Sequence, residues 1–517
     1  MLQEHHAPVV VVGGGPVGLA VAIELGQQGV PVVVVEPRDS ISHARPRAKT
    51  TSARSMELLR RWGIADELRA AAPLPVAWSD EVCFCTTVTG TEVTRIGGCF
   101  GLDLVGSDLV AEAGQQVSQP VVEEVLRREL SRLPVASLLT GWRALDATQD
   151  GSGVTVHIES AAGKRRTLNA EYLVGADGAR SVVRAAMGAR YEGAVGGRPN
   201  VNITFRSREL GALVPHRPSI HYWVLNPASP GVVGPLDLHG TWWAIATGTD
   251  SVADDAEAAA IVRRLVGAEI DVEVLATDPW QARLLLVDSY RVGRMFLVGD
   301  AAHQNPPWGG HGFNTGLGDA VNLGWKLGAV VRGWAPPDLL DSYPSERRPV
   351  AQRTIEVARD NMRVLSADLS NEVVLAVAAA AIQESKDAEF HSLGLVLGYG
   401  YGPRTVTQSA SVTSYRPLVD VGNRLPHLWL AKEVSLYDRL GAGFALIGRS
   451  AEAEPLLVAA RRYGLPLTHL EPDDRLLEHL GHPLVLVRPD QHIAWLGSSA
   501  PDPDAVLDDA LRGFAAP

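Results

Sequence analysis

The chain has 517 residues, 46% apolar and 21% charged, with a net charge of −12. That length exceeds one ordinary core and points to two or three domains, while the acidic balance argues against a general nucleic-acid binder. Three cysteines, Cys83, Cys85 and Cys99, with no C-x-x-C, argue against a disulfide framework and fit a reducing cytoplasm.

The first predicted strand, Pro8 to Val12, is continuous and β-branched. It runs into Gly13-Gly14-Gly15-Pro16-Val17-Gly18, which contains G-x-G-x-x-G. A helix follows over Leu19–Gln28, then a strand over Val30–Val35 that ends at Glu36. This is a whole βαβ dinucleotide fingerprint. Gly13 allows the tight turn, Gly15 lets backbone approach a pyrophosphate, and Gly18 lets the helix pack close. Glu36 can accept hydrogen bonds from a ribose. A polar segment comes next, with Arg38, Arg45, Arg47 and Lys49. Arg47 is the basic residue favoured to meet phosphate or a substrate carboxylate. Ser52 to Trp62 reads as a helix closed by Gly63.

Residues 76–94 turn β-rich, and Cys83 and Cys85 share one face there as buried small side chains rather than metal ligands; no metal site is expected. Gln119 stands before a helix over Val121–Leu130, as a capping group or a cofactor contact. Strands are expected over 138–149 and 154–160, joined at the hairpin signal Gly151-Ser152-Gly153. Tyr172 to Gly175 is a buried strand ending in Gly-x-Asp-Gly at Asp177. Residues 201–247 are strand-like and aromatic-rich. Trp242 and Trp243 face opposite sides, one of which can roof a substrate pocket. An Ala-rich helix over 254–265 and a strand over 280–287 follow.

The stretch Val298 to Leu327 repeats the acid theme. A short strand ends at Gly299-Asp300, and a Gly/Pro turn, Pro306-Pro307-Trp308-Gly309-Gly310-His311-Gly312, feeds an amphipathic helix. Its free backbone N–H groups suit an anion or an electron-rich carbonyl. Helical pattern resumes over 350–365 and extends to residue 382, and 394–415 reads as a linker. The β-α-β-β-α order of the last hundred residues is thioredoxin-like. No cysteine lies there, so thiol–disulfide chemistry is excluded, leaving packing, stability or assembly. No run of about eighteen apolar residues predicts a membrane span.

Gly13-x-Gly15-x-x-Gly18 with Glu36, Asp177-Gly178 and Gly299-Asp300, in that order, resemble the para-hydroxybenzoate hydroxylase family of FAD-dependent aromatic monooxygenases. The thioredoxin-like end is similar to that of its phenol and polyketide hydroxylase branch. The resemblance implies an α/β fold: a Rossmann-like FAD-binding domain (1–75, 101–190 and 285–400), an inserted β-sheet substrate domain (76–100 and 191–284), and a C-terminal domain (417–517). It implies FAD held by Gly13, Gly15, Gly18, Glu36, Arg38, Arg47, Gln119, Asp177 and Asp300. Pro307 and Gly310 would lie beside the flavin ring. Gly312, Phe313 and Asn314 would turn backbone N–H groups to its pyrimidine edge, and Trp308 and His311 would face substrate. His221, His239 and His311 are candidate bases for a phenol.

The implied reaction uses NADPH or NADH and O2 to hydroxylate a phenolic or polycyclic, polyketide-type aromatic through a C4a-hydroperoxyflavin. Three alternatives share the scaffold: Baeyer–Villiger insertion, epoxidation and antibiotic-inactivating hydroxylation. A non-oxygenating FAD dehydrogenase or electron-transfer protein is the alternative of another class. The expected partners are a small aromatic molecule and O2, with no nucleic acid or membrane, in a monomer or homodimer.

Overall fold

The computed structural model describes residues 6–46, 48–362, 372–402 and 411–514. Its central sheet is built from the continuous apolar runs, which bury both faces as parallel strands do. The parallel order is Met295–Leu297, Arg165–Gly175, His6–Val12, Val32–Glu36, Ala136–Thr140. Trp142–Gln149 and Val154–Ser160 form an antiparallel flap off Arg165–Gly175. Helices Pro16–Gln27, Gln119–Arg132 and His311–Val331 lie together against this sheet.

Register places the three acidic motifs. Val12 stands opposite both Val35 and Gly175, and Gly175 stands opposite Leu297. Glu36, Asp177 and Asp300 therefore leave the sheet at one carboxyl edge, where open parallel sheets bind ligands.

A second, eight-stranded sheet contains Tyr191–Arg206, His221–Val224, Gly231–Pro235, Thr241–Thr247 and Glu273–Val287. His303–Gln304, just past Asp300, pairs with Glu273–Val287 and ties this sheet to the motif. Alternation sorts its side chains. Cys83, Cys85, Tyr222 and Trp242 pack with the helix Asp255–Val266 in one core. Phe84 and Trp223 turn to the other side, against Phe390 of the helix Glu372–Phe390.

The C-terminal sheet runs Leu467–Leu470, Phe444–Gly448, Leu484–Val487, Ile493–Gly497. One face packs Phe444, Leu446, Leu484 and Leu486 against Trp325 and Trp334. Beneath lies a buried polar knot. Glu346 accepts two hydrogen bonds from Arg488, both 2.8 Å, one from Lys326 at 2.8 Å and one from Asn322 at 2.6 Å.

Several elements depart from the sequence reading. The helix expected from residue 350 begins at Ser342 and carries Pro349 inside it. Burial of Tyr343, Glu346 and Arg347 outweighs the one backbone bond that a proline removes. The expected strand over 280–287 starts at Glu273, because its partner Tyr191–Arg206 is sixteen residues long. The helices Leu393–Leu397 and Asp474–Leu480 were not expected; both are too short for periodicity to mark. Among the described residues, no helix is long and apolar enough to cross a membrane.

Candidate active site

The three fingerprint glycines do different work. Gly13 has φ +107°, and a Cβ there would lie 2.3 Å from the Ala176 carbonyl oxygen. A Cβ on Gly18 would lie 1.9 Å from the Gly13 oxygen, so these two permit close packing. A Cβ on Gly15 would meet nothing within 4 Å: it borders open space. The helix starting at Pro16 has no side-chain cap and no acid in its first turn. Its first N–H groups are therefore left for an external anion.

Glu36 is buried and accepts from Gly14 N at 2.8 Å, Arg38 N at 2.9 Å and Arg38 Nε at 2.6 Å. Burial pushes its carboxyl up, but the Arg38 and Gly14 bonds outweigh this and hold it below the usual range. Arg38 also meets Glu123 at 3.2 Å. Gln119 is the first residue of its helix, and its side chain donates to Glu123 at 2.8 Å.

Asp177 turns onto its own loop. It accepts from Ser181 Oγ at 2.5 Å, Val182 N at 2.7 Å and Val183 N at 3.3 Å, capping the short helix Val182–Ala186. Burial raises its carboxyl despite these bonds. Asp300 is exposed at the sheet edge, and its backbone carbonyl accepts from the Tyr191 hydroxyl.

Asp319 braces the Gly299-Asp300 turn from below. It accepts from Gly299 N at 3.2 Å and Arg347 Nε at 2.8 Å, and pairs with His303 at 2.9 Å. Asn314 staples the start of the helix His311–Val331. Its amide donates to the Thr50 and Gly310 carbonyls at 3.0 and 2.6 Å, and its oxygen accepts from Ser52 N and Ser55 Oγ at 2.9 and 2.7 Å. With that side chain fully engaged, Asn314 has no side-chain group left to offer a ligand. The helix has no side-chain cap, and Gly310 enters it in the left-handed region.

The aromatic face of the second sheet lies alongside. Phe100 lines a cavity with Thr50, Gly309, Gly310, His311 and Asn314, and its ring centroid is 5.7 Å from that of His221. His221 in turn meets Trp243 at 5.3 Å. Trp308 packs on Trp280 at 5.7 Å. A larger groove, about 530 Å³, lies between residues 76–81, 102–105 and 217–218, apart from these motifs.

Residues 6–358 match the family model described as an FAD binding domain, and 419–517 match that of the aromatic-ring hydroxylase C-terminal domain. Tetracenomycin B2 monooxygenase-dioxygenase of Streptomyces olivaceus is 34% identical over the whole of both chains. The chain belongs to the FAD-dependent aromatic monooxygenases. The rebeccamycin biosynthetic enzyme RebC with reduced flavin superposes with a TM-score of 0.89 at 33% identity, over 99% of each chain. Aklavinone-11 hydroxylase with FAD and aklavinone gives 0.84 at 27%, over 99% of this monooxygenase and 100% of that chain.

The residues of this monooxygenase fit FAD: open space at Gly15, two uncapped helix starts and an ionised Glu36 share one edge. Other sites come out differently from the sequence reading. His239 stands exposed in the hairpin turn after Gly231–Pro235, its N–H given to Asp237, and does not join the His221–Trp243 group. The His311 ring folds back beside Gly309, and burial lowers it to about 4, so it is neutral at pH 7. Arg47 lies outside the described residues. Cys83 and Cys85 share a face, as their spacing predicts, and with His216 bring three donor atoms within 4.8 Å. The sequence marks Lys49 only as one basic residue of the segment after the fingerprint and Trp243 only as one face of an aromatic strand, and it gives no sign of Asp319 or of the side-chain role of Asn314.

Proposed function

We propose that this monooxygenase uses NADPH or NADH and O2 to hydroxylate a phenolic or multi-ring, polyketide-type aromatic. Gly13, Gly15 and Gly18 would cradle the FAD pyrophosphate, and Glu36 would hold the adenosine ribose. The N–H groups of Gly312 to Asn314 would face the electron-rich end of the flavin. FAD, once reduced, supplies the oxygen activation that no side chain can. The protein's own tasks are to hold the ring flat, exclude water and fix the oxygen substituents of the substrate. Trp308, beside Trp280, and Phe100 would form the walls. Asp177 and Arg38 support the site through their own loops rather than by direct contact with substrate.

One observation carries this reading. The second sheet sets His221 and Trp243 behind Phe100, which shares a cavity with the start of the helix His311–Val331. An apolar pocket with a few convergent polar groups is the form of an aromatic-substrate site. Relatives named for tetracenomycin B2 and aklavinone support the multi-ring size. The test is consumption of NADPH and NADH by the FAD-loaded protein with phenol and with emodin, a trihydroxyanthraquinone. Stimulated consumption with a product one oxygen heavier is expected. Reduction that no phenol accelerates would leave the electron-transfer reading instead.

A further inference from the structure

A second set of polar atoms stands just behind Phe100, and nothing in the fold accounts for it. Lys49 Nζ donates to the Ile220 carbonyl at 2.9 Å, and among the described residues no carboxylate meets it. It lies 4.8 Å from the centre of the Trp243 ring. Trp243 Nε1 and His221 Nε2 are buried atoms without a partner among the described residues. The glycine at 234 leaves room for this convergence. A Cβ there would lie 3.0 Å from Lys49 Nζ and 2.7 Å from Trp243 Nε1, so the two donors are less than about 6 Å apart, a span that one oxygen atom can bridge. Lys49, His221 and Trp243 each keep part of their surface accessible. An amino group that no carboxylate meets and an unpaired indole N–H are costly to bury, and a ligand oxygen would satisfy both.

We propose that Lys49 and Trp243 form an oxygen-binding subsite that takes an ionisable hydroxyl of the aromatic substrate and holds it as the phenolate. This rests on the hydroxylase reading above. Burial pushes the Lys49 ammonium well below the lysine range, which favours the neutral amine and its lone pair. The titratable group facing it is His221, which burial and the Lys49 charge also hold well below its ordinary value. The substrate O–H bond breaks and its proton forms an N–H bond on Lys49. The resulting ammonium and the Trp243 N–H then donate to the phenolate oxygen. No electrons leave the ring in this step, and the ring carbons ortho and para to that oxygen become richer for electrophilic attack. The subsite selects aromatics with a free acidic hydroxyl over their methyl ethers.

The test is an absorbance titration of the FAD-loaded enzyme with emodin and with its fully O-methylated ether. Wild type is expected to bind emodin with the red-shifted phenolate band, about tenfold or more tighter than the ether. Lys49→Met is expected to lose the band and about tenfold in affinity, with FAD content unchanged. Trp243→Phe keeps the ring, removes only the N–H, and is expected to weaken emodin but not the ether. It carries the test independently if Lys49→Met does not fold. Variants that match wild type in band and affinity, in an enzyme whose NADPH consumption emodin stimulates, overturn this subsite alone. A wild type that neither binds nor responds to phenol or emodin overturns the hydroxylase reading and the subsite with it.

Discussion

Gly15 and Gly18 are three residues apart in one motif and answer to different constraints. Gly15→Ala adds a methyl to open space, so the apoprotein is expected to melt as wild type does while FAD affinity drops about tenfold or more. Gly18→Ala drives a methyl into the Gly13 carbonyl and is expected to cost about 1–3 kcal/mol of folding stability. Flavin fluorescence titration and urea unfolding of the same samples separate the two. Asn314→Ala strands two carbonyls and two donors, Thr50 and Gly310 against Ser52 and Ser55. About 2–4 kcal/mol in urea unfolding is expected, with faster FAD loss on dilution. At this scale the sequence displays the glycines and acids, because their chemistry is encoded in local spacing. It hides what the side chains of Asn314, Lys49 and Asp319 bond to, because those partners lie far along the chain. Lys49 donates to Ile220, and Asn314 bonds to Thr50, Ser52 and Ser55.

Among elements, the helix Ala53–Arg61 joins the start of the helix His311–Val331 to the C-terminal fold. Ser52 caps it and bonds to Asn314. Its opposite side carries Arg54, which reaches Gln491 Oε1 at 2.6 Å and the Asp490 carbonyl at 2.8 Å, and Glu57, which accepts from Arg424 at 2.5 Å. Burial raises the Glu57 carboxyl, but Arg424 and Arg54 prevail and keep it low. Glu57→Gln leaves two buried guanidinium groups short of a charge, and a loss of about 3–5 kcal/mol in urea unfolding is expected. Most strands and helices of this region were legible from periodicity and caps. Pairing was not: the parallel contact of His221–Val224 with Val82–Cys85 joins segments with no local signal in common.

Across the whole molecule, buried polar contacts join the C-terminal fold to the core. Arg488 and Asp490 of that fold reach Glu346 and, on the helix His311–Val331, Asn322 and Trp325. Burial raises the Glu346 carboxyl, but Arg488 and Lys326 bring it to about 2. Its folded value lies below the unfolded value of about 4.3. The stability it contributes is therefore complete above that pH and is lost as pH falls towards 2. The urea midpoint of wild type is expected to fall between pH 5 and about 3, and Glu346→Gln is expected to lack that part of the slope. At this scale length points to more than one core, and the resemblance supplies an order for the parts. The buried charge that welds the C-terminal fold to the core was not legible, since hydrophobic patterning cannot announce paired ions.

The most direct measurement of the central claim follows the fate of oxygen. FAD-loaded protein is given NADPH, emodin and oxygen-18 gas, and the product is weighed by mass spectrometry. A flavin monooxygenase built at this sheet edge places one labelled atom in the aromatic product for each NADPH consumed, and Gly15→Ala loses the reaction until FAD is raised. Label found only in hydrogen peroxide or water across emodin and a range of simpler phenols, with NADPH consumed at the same rate in their absence, would contradict it.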